Sequence, residues 1–497
     1  MRRRLRNDYQ PVKRSKGLRT AGVVALADAT PISKSPVTPD RRSSHVNPKA
    51  IDTNENHSEL NGSSKTLLKR GHAFSFAMLW LFTLLLYARP GEFYPSALTA
   101  SIALIVGLIT LGFFLPTQLA LEGTLTAPLR EVNLVLLFGL AGLLSIPLAI
   151  SPADAWHEFS GTFIRCIVIF IVIVNVVRTH ARLKALLFLA LCVSIWLSMS
   201  AINDYRLGLM TVEGYRVGGR GDGLFGNPND MALHLITVIP IAVAFCFATR
   251  RRVRKMFYGA AALLMVAAVV LTFSRGGFIG LLVATAFFLW KVGHRQRLAI
   301  AIVGVVLLLL LLVLAPGNYA TRLASIFVPS LDPVGSAEMR REILFRSIST
   351  AIRHPLFGIG MGNFHNVSFH ELVSHNAYTQ VAAEMGMAAL VIYTMFLVTP
   401  FKKLSQIARE TFAARERSSY YYLAIGLQAS LLGYMVSSFF ASVAYTWYVY
   451  YLVGYAVCLR RLYEAETGRA VALEIKNARK NQAHVPSLIG ERNPSTI

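Results

Sequence analysis

Residues 260–290 read AAALLMVAAVVLTFSRGGFIGLLVATAFFLW, two apolar stretches joined by the turn Ser274-Arg275-Gly276-Gly277. Together they are long enough for two helices that cross a hydrocarbon core of about 30 Å. Arg275 is the only charged residue in the run, and the two glycines after it allow close approach of a ligand or of a neighbouring helix. The pattern predicts two membrane helices with a functional arginine at their turn; the alternative is an arginine that only extends to the membrane interface.

The whole chain has the composition of a membrane protein. Its mean hydropathy is +0.49, with 54% hydrophobic and 15% charged residues. The net charge of +24 does not indicate nucleic-acid binding, because most of the positive residues lie in a polar N-terminal tail and in short connectors between apolar runs. The four cysteines lie inside apolar runs without metal-ligand spacing, so we expect no disulfide and no metal cluster.

We predict an all-α polytopic membrane protein with about twelve transmembrane helices. Residues 71–462 form the transmembrane domain, residues 1–70 a disordered basic cytoplasmic tail, and residues 463–497 a cytoplasmic C-terminal tail. Two external loops are long, at 203–228 and at 316–374 between the ninth and tenth helices. The predicted spans are 73–89, 96–120, 131–151, 159–177, 183–202, 229–249, 256–273, 276–292, 298–315, 375–400, 420–441 and 443–460.

The distribution of basic residues predicts the orientation. If the N-terminal tail is cytoplasmic, the cytoplasmic connectors hold 17 Lys and Arg residues and the short external connectors hold five. This excess agrees with the positive-inside rule and predicts that both termini are cytoplasmic. Every basic residue on the external side, including those of the long loop, is Arg rather than Lys. The guanidinium donates hydrogen bonds in a fixed fork, which suits phosphate and carboxylate groups.

The external residues that could carry chemistry occur in three places. Arg216 and Arg220 lie in a glycine-rich loop before Asn227, where backbone amides can surround an anion, although a tight surface turn gives the same composition. Within the long loop, Ala337–Arg353 has the spacing of an amphipathic helix that carries Arg340. His375 begins Ser374-His375-Asn376-Ala377-Tyr378; its imidazole can accept a proton from a sugar hydroxyl at neutral pH, or it can simply cap the helix.

Two further charged residues are predicted inside the membrane. Glu384 follows His375 by about two and a half helical turns, and Arg165 lies in the fourth predicted span. A carboxylate at this depth needs a partner, so we interpret Arg165 and Glu384 as a structural ion pair.

Four motifs resemble those of the O-antigen ligase and polymerase superfamily. They are Leu271–Phe278, Asn227-Pro228-Asn229, His354–Phe364, and His375–Tyr378 continuing through Glu384-Met385-Gly386. In ligases of that family an Arg followed by three residues and a Leu matches Arg220 to Leu224, and a His followed by ten residues and a Gly matches His375 to Gly386. The second arginine of the loop leaves open whether Arg216 or Arg220 is the matching residue.

The resemblance implies a glycosyltransferase of the membrane-embedded C type in the bacterial inner membrane. It would act at the periplasmic face on an undecaprenyl-diphosphate-linked glycan, with a saccharide or a lipid A-core-like acceptor and without metal, cofactor or nucleic acid. The catalytic residues would be Arg220 and Arg275, which bind the diphosphate, and His375, which deprotonates the acceptor. The residues expected to bind substrate are Arg216, Arg340, Asn227, Asn376 and Tyr378. Ligase and polymerase both remain open, and a flippase or exporter of lipid-linked glycan is the alternative from another class.

Overall fold

In the computed structural model the chain is helical, and no strand occurs in the part that the structure describes. The prediction of an all-helical membrane protein is confirmed. The structure describes residues 71–89, 94, 96–209, 216–219, 224–292, 298, 301–302, 336–368, 372–415 and 418–483. The predicted N-terminal tail, most of the predicted span at 298–315, and Arg220 lie outside these residues.

The helices follow the predicted apolar runs closely. They are α1 Ala73–Ala88, α2 Ala97–Glu122, α3 Arg130–Ser145, α4 Pro152–Val176, α5 His180–Arg206, α6 Pro228–Ala248, α7 Arg252–Leu271, α8 Arg275–Lys291, α9 Ser336–Arg353, α10 Ala377–Met385, α11 Met387–Glu410, α12 Ser419–Ser437 and α13 Trp447–Ala483.

Seven helices are long and apolar enough to cross a membrane: α2, α4, α5, α6, α7, α11 and α12. This finding covers the described residues only. Helix α1 is apolar but has 16 residues, and α3 and α8 have 16 and 17, so all three are shorter than the 18 residues that such a span needs here. The number of twelve crossings stays a prediction.

Helix α6 lies in the centre of the bundle and packs against α7, α8 and α12. Most of its residues are buried, and they are apolar on all sides of the helix. Helices α8 and α12 approach closely, because a side chain at Gly280 would lie 1.9 Å from Ser437 Oγ and 3.0 Å from the Gly433 carbonyl oxygen. This packing brings the start of α8 next to the end of α12.

The predicted span at 375–400 is not one helix. Helix α10 ends at Met385 and α11 begins at Met387, because Gly386 has a φ of 88°, which ends a right-handed helix. A Cβ atom at Gly386 would lie 2.3 Å from the Leu356 carbonyl oxygen, and the Met387 amide donates to the Pro355 carbonyl at 2.8 Å. The segment before α10 therefore occupies the space that a continuous helix would need.

Three other boundaries bear on the predictions. The predicted amphipathic helix at 337–353 is confirmed as α9. Helix α13 continues to Ala483, so much of the predicted C-terminal tail is helical. Helix α4 contains a π-helical segment, Phe159–Phe163, in which one extra residue per turn changes the direction of the side chains that follow.

Candidate functional site

The turn that carries Arg275 is built by its neighbours. Ser274 caps α8, since its Oγ accepts a hydrogen bond from the Gly277 amide at 3.2 Å. Phe273, just before it, has a φ of 52°, a left-handed conformation that costs energy for a residue with a side chain. The glycines after Arg275 serve helix packing: a Cβ atom at Gly276 would lie 2.6 Å from Phe440 Cβ.

Asn229 joins the glycine-rich loop to this turn. Its Oδ1 accepts from Arg216 Nη2 and from Ser274 Oγ, each at 2.9 Å. Arg216 is 4% exposed, and its Nε donates to the Thr272 carbonyl at 3.0 Å. The guanidinium of Arg216 is thus used inside the protein, where it holds the loop against the residues that precede α8.

Asn227, one of the residues expected to bind substrate, caps α6. Its Oδ1 accepts from the Asn229 amide at 2.8 Å. The loop closes on itself nearby, since the Gly219 amide donates to the Phe225 carbonyl at 2.7 Å. Arg220 lies outside the described residues, so its role stays a prediction.

His375 precedes α10 in a strained turn. Its φ is 52°, and Asn376 after it caps the helix by accepting from the amides of Tyr378 and Thr379 at 2.9 and 3.2 Å. Burial, and then the positive charge of Arg340, lower the pKa of His375 to about 4. The imidazole is therefore neutral at pH 7 and able to accept a hydrogen bond from a hydroxyl group.

The starts of α8 and α10 meet at the end of α12. Tyr378 Oη donates to the Met435 carbonyl at 2.9 Å, and its ring lies 5.5 Å from the ring of Phe439. Ser437 Oγ donates to the Gly276 carbonyl at 3.2 Å. Residues 435–440, which we call the α12 end, thus hold the helix that begins at Arg275 and the helix that follows His375.

Helix α9 lies against the turn that carries His375. Ser347 Oγ and Ser374 Oγ are 3.2 Å apart, and Ser374 Oγ is also 2.9 Å from Thr379 Oγ1. Arg340, on this helix, carries the positive charge that contributes to the lowered pKa of His375.

The motif at 354–364 folds onto the end of α10. The amides of Ile359 and Gly360 donate to the carbonyls of Ala383 and Glu384, at 2.9 and 3.0 Å. The Glu384 carboxylate accepts from the Phe364 amide at 3.2 Å. Asn363 extends this contact by accepting from the Ser151 amide at 2.7 Å.

The interpretation of Arg165 and Glu384 as an ion pair is wrong. Glu384 accepts from the backbone of the 354–364 motif, whereas Arg165 lines a cavity between α1, α2 and α4. In the described residues a buried ion pair joins Arg460 to Glu131 at 2.5 Å, and the buried Arg178 pairs with the partly exposed Glu122 at 2.8 Å.

Two residues essential to this geometry were missing from the predicted site. Asn229 and Ser274 both stand in the quoted motifs, but sequence alone does not show that they bond to each other across 45 positions. In the described residues, no group of three or more His, Cys, Asp or Glu residues is arranged to hold a metal ion.

The family described as O-Antigen ligase matches residues 260–394. The match begins in α7 and ends in α11, so it includes Arg275, Arg340, His375 and Gly386 and does not include the glycine-rich loop. None of the curated proteins matches the chain.

Proposed function

The chain belongs to the O-antigen ligase superfamily, and on this premise we propose that it moves or polymerises glycan at the outer face of the bacterial inner membrane. The donor is a glycan on an undecaprenyl-diphosphate carrier, and the acceptor is a hydroxyl group of a saccharide or of a lipid A-core-like molecule. The superfamily and the apolar helices indicate a multi-pass membrane enzyme that transfers glycan.

One observation carries the proposal. The α12 end bonds to Gly276, next to Arg275, and to Tyr378, three residues after His375. A fixed cation for a leaving diphosphate and a neutral imidazole for an acceptor hydroxyl are thereby attached to one short segment. Preorganised charges and a positioned base are what the displacement of a diphosphate requires.

We assign the residues as follows. Arg275 and Arg220 bind the diphosphate and stabilise the negative charge that develops as it leaves. His375 accepts the proton of the attacking hydroxyl, which forms the new bond to the anomeric carbon in a single inverting step. Arg216, Asn227, Asn376 and Tyr378 position the site, since their side chains bond within the protein.

Arg340 is assigned to steering the anionic donor toward the site. Its positive charge is also the second cause, after burial, of the lowered pKa of His375.

The test measures the surface glycan of a deletion strain that carries either the wild-type protein or His375→Ala. We expect His375→Ala to lower transfer about 10²- to 10⁴-fold, which is the contribution of a general base. Ile105→Phe on the outer surface of α2 serves as the control and should transfer normally. Full transfer by His375→Ala at normal protein abundance would refute the assignment.

The same strain separates the two reaction types and the alternative class. Without the protein, surface lipid capped with a single repeat unit means a polymerase, and a long glycan retained on the carrier means a ligase. A flippase or exporter, the alternative from the sequence, is not favoured by the family match. Deletion of a flippase would leave the carrier-linked units on the cytoplasmic side, where an impermeant glycan-modifying reagent does not reach them.

A further inference from the structure

A cavity of about 540 Å³ lies between α1, α2 and α4, with Trp447 at one side. Its wall is mainly aliphatic. The residues that α2 contributes run from Thr99 to Leu111, which is about 18 Å of helix at 1.5 Å per residue. Leu104 and Leu108 in this wall are 47% and 60% exposed, so the cavity opens to the outside of the bundle.

The cavity is lined by two arginines and two threonines besides its apolar residues. Arg89 stands at the end of α1, Thr99 near the start of α2, and Thr162 and Arg165 in and just after the π-helical segment of α4. The rest of the groove along α2 is lined by Ile102, Ala103, Leu104, Gly107, Leu108 and Leu111. A cavity with two cations and a long hydrocarbon wall fits an amphipathic, anionic lipid.

The surroundings of the Arg165 side chain indicate a ligand. Its side chain is exposed, and within the part of the chain that the structure describes it forms no hydrogen bond and no ion pair. It also lies near the middle of a helix long and apolar enough to cross a membrane. A guanidinium at such a depth is costly unless it reaches an anion, and residues of this kind mark ligand sites.

A second, smaller cavity shares Arg89 with the first. Its lining also includes Gly218, Gly219 and Phe225 of the glycine-rich loop. That loop is bonded through Arg216 and Asn229 to the turn before Arg275. A lipid whose headgroup reaches Arg89 is therefore beside the loop that we assign to diphosphate binding.

We propose that this cavity binds the isoprenoid chain of the lipid carrier, with Arg89 and Arg165 on the lipid side of the diphosphate that Arg275 and Arg220 bind from the side of the loop. The identity of the lipid rests on the proposed function, whereas the existence of an anionic-lipid site rests on the cavity alone. Arg165 thereby selects lipids by headgroup charge, and the aliphatic wall of α2 holds the chain.

The experiment is photolabelling of the purified full-length protein in detergent with a diazirine-bearing isoprenyl diphosphate, without acceptor. We expect label on 102–111 of α2 and on 164–169 of α4, mapped by mass spectrometry of peptides. Unlabelled isoprenyl diphosphate should displace it, and isoprenyl alcohol or phosphatidylglycerol at the same concentration should not. Equal displacement by phosphatidylglycerol, or label confined to other helices, would overturn the proposal.

Variants give the second arm. Arg165→Gln should weaken displacement by isoprenyl diphosphate about 10- to 100-fold, the effect of one charge-assisted hydrogen bond. Ala103→Phe fills the groove and should abolish labelling there, whereas Ile105→Phe on the same helix faces outward and should label normally. If Arg165→Gln does not fold, Ala103→Phe decides the question. Normal labelling of Ala103→Phe would refute the proposal.

Labelling and transfer fail independently. His375→Ala should label like the wild type, because His375 does not line the cavity. Labelling as expected without any glycan transfer by the wild type would contradict the proposed function and leave the lipid site standing. Glycan transfer by the wild type with label outside the cavity would contradict the lipid site and leave the proposed function standing.

Discussion

Replacing Asn229 with Leu tests whether the contacts around Arg216 hold the site together. The substitution keeps a similar volume and removes the oxygen that accepts from Arg216 and from Ser274. A hydrogen bond to a charged group contributes about 1.5–3 kcal/mol and a neutral one about 0.5–1.5 kcal/mol. The loss is therefore about 2–4.5 kcal/mol, and Arg216 keeps its buried position with one acceptor fewer.

If this energy serves to hold the glycine-rich loop against the turn of Arg275, its loss appears in transfer. At about 1.4 kcal/mol for each factor of ten, transfer should fall roughly 30- to 2,000-fold. Asn229→Asp keeps an acceptor oxygen for Arg216 and should stay within about tenfold of the wild type. Ser418→Ala removes the cap at the start of α12, away from the site, and should cost stability without a comparable loss of transfer.

The assay is transfer in the complemented deletion strain, measured from the surface glycan and normalised to the amount of monodisperse protein after detergent extraction. The normalisation separates loss of folding from loss of site geometry. Wild-type transfer by Asn229→Leu at normal abundance would refute the reasoning, because the loop and the turn would then hold their positions without their shared acceptor.

Three more substitutions test other parts of the site. Gly386→Ala should lower the melting temperature, because it adds a side chain at a φ of 88° and 2.3 Å from the Leu356 carbonyl oxygen. The backbone strain alone costs about 1–3 kcal/mol. Gly112→Ala is the control, because a Cβ atom there has nothing within 4 Å. Arg340→Gln should raise the His375 pKa from about 4 part of the way to its usual value, because burial, the larger cause, remains. Neutral imidazole is the active form and activity is lost as pH falls through this pKa, so the acid limb of the kcat/KM profile should move to higher pH, and an unmoved limb would exclude His375 as the titrating base. Arg341→Gln is its control. Arg275→Lys keeps the charge but not the donor fork and should lose most transfer at normal abundance; transfer equal to the wild type would mean that Arg275 only orients the protein.

The apolar helices were predictable because each depends on its own residues. Runs such as 229–249 and 256–273 are hydrophobic over the length of a span, and the observed helices Pro228–Ala248 and Arg252–Leu271 differ from them by a few positions. The amphipathic spacing of Ser336–Arg353 was equally local. Periodicity and capping residues suffice for such elements.

What sequence could not provide depends on contacts between distant residues. The break at Gly386 follows from the backbone of Pro355 and Leu356, and nothing in 375–400 alone interrupts an apolar run strongly enough to predict it. The pairing of Arg165 with Glu384 was inferred from membrane depth. Depth does not specify which side of a helix a residue occupies, and the π-helical segment before Arg165 changes that side.

The π-helical segment of α4 also affects how this chain should be compared with its relatives. The wide turn absorbs one residue more than a regular α-helix would hold, so deleting one residue from 159–163 would restore regular α-helix and leave the two halves of α4 in nearly the same relative orientation. A relative with one residue fewer there could therefore still direct an arginine into the groove along α2. An alignment of α4 with a homologue should allow a one-residue gap at 159–163 before the presence or absence of the arginine is used to infer lipid selection.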